Sequence, residues 1–254
     1  MKKILALLLA VAMVFSFAAC SKEQTDLEKI QDEGKIIVGI TEYAPMDYME
    51  DGEWVGFDAE FSQAVAEKLG VEVEFKVIDW DNKFLELESG AIDCIWNGMT
   101  ITDEVNKNTS CSKPYAKNEQ VVVMAKDKAA DYADTEALKE LKFAVESGSA
   151  AEGAANDLGF EFVAVKAQSD ALLEVESGSV DACIIDITMA DSMTGEGTSY
   201  ADLAQSASLT KEEYGIGFRK GSDLTEKVNG YIDEMKADGT LKALSEKYGV
   251  AIAE

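Results

Sequence analysis

One stretch of this chain is written twice, and the repeat restricts the fold more than any other feature. Glu86 to Val105 reads ELESGAIDCIWNGMTITDEV, and Glu174 to Asp186 reads EVESGSVDACIID. In both copies a Glu-(Leu/Val)-Glu-Ser-Gly run predicts a helix end, because Gly90 and Gly178 can adopt the left-handed conformation that terminates a helix. Short apolar runs follow: Ile92, Cys94, Ile95 and Trp96 in one copy, Val180, Cys183, Ile184 and Ile185 in the other. Runs of this kind suit strands covered on both faces. Each strand exits into polar residues, Asn97, Gly98, Thr100 and Thr102 in the first copy, Asp186 and Thr188 in the second. Ligands of open α/β sheets sit outside the carboxyl ends of the strands, so the two exits predict a site between two similar lobes.

The 254-residue chain is long enough for two lobes with proper cores. Its beginning is of another kind. Lys2 and Lys3 precede the apolar run Ile4 to Phe17, and Ala18-Ala19-Cys20 follows. A basic start, a hydrophobic core too short to span a bilayer and a small-residue cleavage site together read as a secretory signal. The cysteine directly after the small pair resembles a bacterial lipobox, which makes Cys20 the expected lipidation site and Ser21 to Asp26 a polar tether. A soluble body held at the membrane by lipid is then expected.

Cys94, Cys111 and Cys183 remain, an odd number that gives no disulfide framework, and two of them lie in apolar runs. The chain has no histidine, which removes imidazole-based triads and zinc sites. No metal or other cofactor is expected. Formal charge is -26 for the whole chain; without Lys2 and Lys3, 21 basic side chains face 49 acidic ones, or -28. Such a charge excludes nucleic acid as a partner.

Along the body, strand and helix patterns alternate. Thr25 to Gly34 predicts a short helix and Lys35 to Ile40 a buried strand, leading into the loop Thr41 to Tyr48 with its proline. Asp58 reads as an N-cap for a helix carrying Phe61, Val65 and Leu69 and stopped by Gly70. A strand from Val71 to Val77 follows, then a helix from Asn82 to Ser89 and a strand from Ile92 to Trp96. This alternation predicts a parallel, doubly wound sheet. The composition change after Gln120 to Ala125 places the crossover to the second lobe near Met124 to Asp127. There strands 142–145, 162–165 and 182–185 alternate with helices 150–158 and 170–176. Glu213 to Phe218 predicts a strand returning to the first lobe. Leu224, Val228, Ile232 and Met235 then mark one face of a long helix, and Thr240 to Tyr248 a closing one. The expected organisation is 1–19 signal peptide, 20–34 anchor and tether, 35–124 first part of lobe 1, 125–212 lobe 2, and 213–254 return to lobe 1.

AIDCIWNGMTITDE, VGFDAEFSQAVAEKLG, SKPY, VESGSA and EYGIGFRKGSDL, standing behind a lipobox, resemble the polar-amino-acid binding proteins of bacterial ABC importers, solute-binding protein family 3, from about Lys35 to Gly249. The resemblance implies the two-lobed periplasmic-binding-protein fold of type II, two doubly wound sheets joined by a two-strand hinge. It also implies a monomer that closes around an amino acid or related amine and delivers it to permease subunits. It places aromatic walls at Tyr43 and Trp80, and contacts to the ligand's α-amino and α-carboxylate groups at the Gly98 main chain and the Thr100 hydroxyl, with Asn97 a further ligand-binding candidate at the same strand exit. Ser149 and Ala150 match a second carboxylate contact. They also begin a helix, where free amides attract anions. Asp186 matches the acid that pairs with the ligand's ammonium.

Two departures matter. Where the family follows Thr-(Asp/Glu)-Glu with an arginine that grips the ligand carboxylate, this chain has Val105. Arg219, the only arginine, reads as part of a surface turn. Glu146 stands where the family often has a neutral or basic residue. Both changes predict a cleft that favours cations: a cationic amino acid held loosely by its carboxylate, or an amine without one. A competing expectation is a cyclohexadienyl-dehydratase-like enzyme on the same fold, with Glu146 as the acid.

Overall fold

In the computed structural model the two copies of the repeated stretch fold alike, bond for bond. After each helix the chain turns through a left-handed glycine, Gly90 at φ 76° and Gly178 at φ 74°. In the first copy the amides of Ala91 and Ile92 donate to the Glu86 carbonyl; in the second those of Ser179 and Val180 donate to that of Glu174. The next aspartate then clasps a neighbouring strand from both sides. Asp93 donates its amide to the Ile37 carbonyl (2.7 Å) and accepts the Ile37 amide on its carboxylate (2.9 Å), while Asp181 does the same with Lys142 (2.9 and 3.0 Å).

The structure describes residues 24–254, so the signal sequence and Cys20 lie outside the described residues. In chain order the first lobe is built from α1 (Asp26–Glu33), β1 (Lys35–Ile40), the hairpin β2 (Tyr48–Glu50) and β3 (Glu53–Val55), α2 (Phe57–Leu69), β4 (Glu72–Val77), a 3₁₀ turn (Trp80–Asn82), α3 (Lys83–Glu88), β5 (Cys94–Ile95), α4 (Asp103–Asn108) and β6 (Ser110–Cys111). Strand β7 (Ala116–Asn118) leads to β8 (Gln120–Ala125), α5 (Thr135–Leu138), β9 (Lys142–Glu146), α6 (Ala150–Leu158), β10 (Glu161–Val165), α7 (Gln168–Glu176), β11 (Ala182–Asp186), α8 (Ile187–Met193) and β12 (Leu203–Ser208). The return runs through β13 (Glu212–Tyr214) and β14 (Gly217–Phe218) to α9 (Leu224–Asp238) and α10 (Thr240–Tyr248).

Two five-stranded sheets result, ordered β4-β1-β5-β14-β6 and β10-β9-β11-β8-β12. Antiparallel β7 and β13 form the two-strand connection between them. The crossover comes earlier than the composition suggested: β8 pairs with β11 and β12 in the second sheet, because its continuous apolar run fits a strand buried between two neighbours. The first repeat's strand is also shorter than expected, confined to Cys94–Ile95.

Rings fill the first core, where Phe61 meets Trp96 edge-on at 4.8 Å and Tyr115 at 5.5 Å. Phe143 stacks on Phe160 at 4.8 Å in the second lobe. The predicted face of α9, Leu224, Val228, Ile232 and Met235, is fully buried. Two side chains differ from expectation. Asp58 does not cap α2, whose N-cap is Gly56; its carboxylate is buried and accepts the Gly98 amide (2.6 Å) and the Tyr115 hydroxyl (2.7 Å). Arg219 is no surface turn residue: it pairs with Asp26 (2.7 Å) and Asp93 (3.1 Å) and donates to the Ile92 carbonyl (2.7 Å), tying α1 and the first repeat to the return.

Candidate functional site

Between the strand exits of the two sheets lies a cavity of about 330 Å³. Of the residues expected there, Trp80, Asn97, Gly98, Thr100, Val105, Glu146, Ser149, Ala150 and Asp186 line it, and Tyr43 does not. Tyr43 has turned inward beneath Gly98, and its hydroxyl bonds those of Thr188 and Tyr214, the latter at 2.6 Å. A Cβ at residue 98 would come within 2.6 Å of the Tyr43 ring, and Gly98 has φ 57°. Only glycine fits that floor without strain.

The first-lobe wall holds itself in place. Asn97 accepts the Thr41 amide (3.0 Å) and donates to the Thr41 hydroxyl (2.8 Å), joining the exits of β1 and β5. The Gly98 amide is already committed to Asp58. Val105 is buried in the apolar cluster that includes Trp80, Ile95 and Met99, and its amide donates to Thr102, which caps α4. An apolar side chain therefore stands where the resemblance led us to look for a cation.

The second-lobe wall is anionic. Asp186 ends β11, almost fully buried, and its carboxylate accepts side-chain amides from Asn118, Gln120 (2.6 Å) and Gln168. Burial pushes its pKa up to about 6, and the same amides restrain the rise. Glu212, on β13, accepts Thr100 Oγ1 (3.0 Å), Gln120 Nε2 (2.9 Å) and Asn118 Nδ2 (3.1 Å), so two carboxylates share two amides. Glu146, at the end of β9, has one carboxyl oxygen without a hydrogen-bond partner, and burial first, then the nearby Asp186, pushes it up to about 8. Ser149 caps α6, accepting the Glu152 amide (3.2 Å) while donating to the Glu146 carbonyl (2.7 Å). Asp103, Glu104 and Asp157 also reach the cavity.

Among the lining residues not expected from the sequence, Lys83, Gln120, Gln168 and Glu212 matter most, because their polar groups meet the cavity or its buried acids. Lys83 places a cation at the cavity although the arginine of the family is replaced by Val105. It is only 4 % exposed and is the single basic side chain among the described residues that line the cavity. Its Nζ donates to the carbonyls of Gly148 (2.7 Å) and Trp80 (3.3 Å) and lies 5.1 Å from the Trp80 ring centroid. Burial lowers its pKa. Pairing in the β8–β11 ladder places Gln120 opposite Asp186, the one signal that could have found it.

Comparison with known proteins agrees with this architecture. Residues 36–251 match the family described as bacterial extracellular solute-binding proteins, family 3. The chain is 32% identical to the arginine-binding extracellular protein ArtP of Bacillus subtilis (strain 168), over 98% of this chain and 98% of that one. Among solved structures, a mutant of ArgBP from T. maritima superposes with a TM-score of 0.82 at 31% identity, covering 88% of this chain and 98% of that one. The ancestral amino acid-binding protein AncCDT-1, a precursor of cyclohexadienyl dehydratase, gives 0.80 at 32%, covering 87% and 98%. With its type II periplasmic-binding-protein fold and a cavity at the strand exits of both lobes, the chain belongs to the bacterial extracellular solute-binding proteins of family 3.

Proposed function

We propose that this protein captures a cationic amino acid, or a related amine, and hands it to the permease subunits of an ABC importer by closing its two lobes around it. One observation carries the reading: six carboxyl side chains, Asp103, Glu104, Glu146, Asp157, Asp186 and Glu212, line the cavity against one ammonium. Asp186, the buried one that ionises below neutrality, needs a partner once charged, and a bound cation supplies one. Asp186, held by three amides, is the natural seat for the ligand's ammonium, Trp80 for an apolar stem, and the first turn of α6 at Ser149 and Ala150 for a carboxylate. Relatives named for arginine binding support the same class. Titration calorimetry with L-arginine, L-lysine, L-histidine, L-glutamine and L-glutamate tests it. Tight binding of a cationic member and none of L-glutamate is expected; L-glutamate binding as tightly as L-arginine would refute it.

The protein acts as a monomer without chemistry of its own, lipid-anchored outside the cytoplasm through Cys20, a reading that rests on Ala18-Ala19-Cys20 behind an apolar run. Mass spectrometry of the mature protein should find the lipid on Cys20, and an unmodified N-terminal fragment would refute the anchor. The dehydratase reading has one point in its favour, since Glu146 keeps its proton at neutral pH beside the cavity. The acidic lining opposes a dianion such as prephenate, and turnover of prephenate or arogenate would overturn the non-enzymatic role.

A further inference from the structure

Lys83 is hard to explain as a structural residue. Among the described residues its ammonium has two carbonyls for partners and no carboxylate within ion-pairing distance; Glu104, Glu146, Asp81 and Glu152 act on it only through space. An ammonium buried without a counter-ion is costly, and an apolar side chain would fill the same place against Trp80 and Phe84 without that cost. The position is therefore one that a passing anion would complete.

The surroundings say which anion. Two of the three ammonium protons point to carbonyls, which leaves one for a further acceptor. One of those carbonyls belongs to Gly148, the residue directly before Ser149, the N-cap of α6. The ammonium thus stands beside the amide end of a nine-residue helix, where a partial positive charge collects. A full charge and a helix end converge on one spot in the cavity, and a carboxylate is the group that both complement. At the other end Asp186 offers the opposite polarity.

We propose that Lys83 anchors the carboxylate of the bound amino acid, taking over from helix α3 the role that the family resemblance assigns to an arginine at position 105. The proposal rests on the amino-acid reading above and sharpens it: the ligand carries both a carboxylate and a positive charge, and an amine lacking the carboxylate is the poorer ligand. Since Lys83 belongs to the first lobe and Gly148 to the second, the same ammonium that meets the carboxylate also spans the closing lobes.

The test compares L-arginine with agmatine, the same molecule without its carboxylate, and L-lysine with cadaverine, by calorimetry at neutral pH. Wild type should bind the acid of a pair more tightly than the amine. Lys83→Met should weaken the acid by about 10- to 150-fold, the range for a hydrogen bond to a charged group, and leave the amine unchanged. Adding Val105→Arg to Lys83→Met should restore the acid alone. Equal losses for acid and amine would show that Lys83 only latches the lobes, and wild type preferring the amine would overturn the proposal without any variant. Wild type that binds none of the four would instead refute the cationic-ligand reading itself.

Discussion

Asp93 and Asp181 occupy the same place in the two copies of the repeat, make the same two main-chain bonds, and live in opposite surroundings. Asp93 is wholly buried and meets both Lys29 (3.0 Å) and Arg219 (3.1 Å); Asp181 is exposed and has only its strand clasp. The first lobe is closed over its repeat by α1 and by the returning chain, while the second leaves its edge to solvent. A conserved turn geometry thus needs no conserved environment, because the two main-chain bonds suffice to shape it. The exits differ in the same spirit. One copy ends in uncharged Asn97 and Gly98, already bonded to Thr41 and Asp58, and the other in charged Asp186. One frame, used twice, yields an uncharged strand exit and an anionic one.

Substituting the two aspartates sharpens the contrast most. Asp93→Ala leaves Arg219 half-buried beside fewer acids and should cost about 3–5 kcal/mol, the range for breaking a buried ion pair. Asp181→Ala loses a solvent-exposed hydrogen bond and should cost about 1 kcal/mol. Urea unfolding of both variants checks this, and equal midpoints would mean that the buried ion pairs add nothing to the first copy. The smaller effect concerns the exits, of which only the second titrates. Asp186 holds its proton up to about pH 6 when folded, against 3.8 for a free carboxyl, so its stabilising contribution is present at low pH and is lost as pH rises through that interval. Over the same interval it gains the charge that attracts a cation. Affinity for L-arginine should therefore rise about tenfold per pH unit up to about pH 6 and then level, with a further step near pH 8 from Glu146 that Glu146→Gln removes. Calorimetry across that range gives the profile, and a flat response below neutrality would exclude Asp186 as the ligand's partner.

Most of the architecture was legible in the sequence because it rests on local signals: the repeat, the alternation of strand and helix, and the four apolar positions of α9. The anionic end of the site was legible too, since a lone acid closing an apolar strand has few structural excuses. The rest depended on tertiary direction. Lys83 sits among acidic residues at the start of a short helix, where a lysine ordinarily points to water; only the close approach of Gly148 from the other lobe turns it into a buried cation. Tyr43 read as a wall, but two hydroxyl partners from distant segments draw it beneath the floor. The amides around Asp186 come from β7, β8 and α7, and nothing in their own neighbourhoods marks them. Strand β8 misled for a related reason, as an apolar run announces burial without naming the sheet that buries it.

The placement of β14 has a consequence for how the chain assembles during synthesis. Every strand of the second sheet lies within residues 120–208, so that lobe has all its pieces before the rest of the chain emerges. The first sheet does not: β14 stands between β5 and β6, and β6 has no other neighbour. Until residues 217–218 arrive, the lobe that began first is a three-stranded fragment with an open edge at β5, and α9 and α10 are still to come. The order of maturation inverts the order of the sequence, and the lobe begun first is the last to be finished.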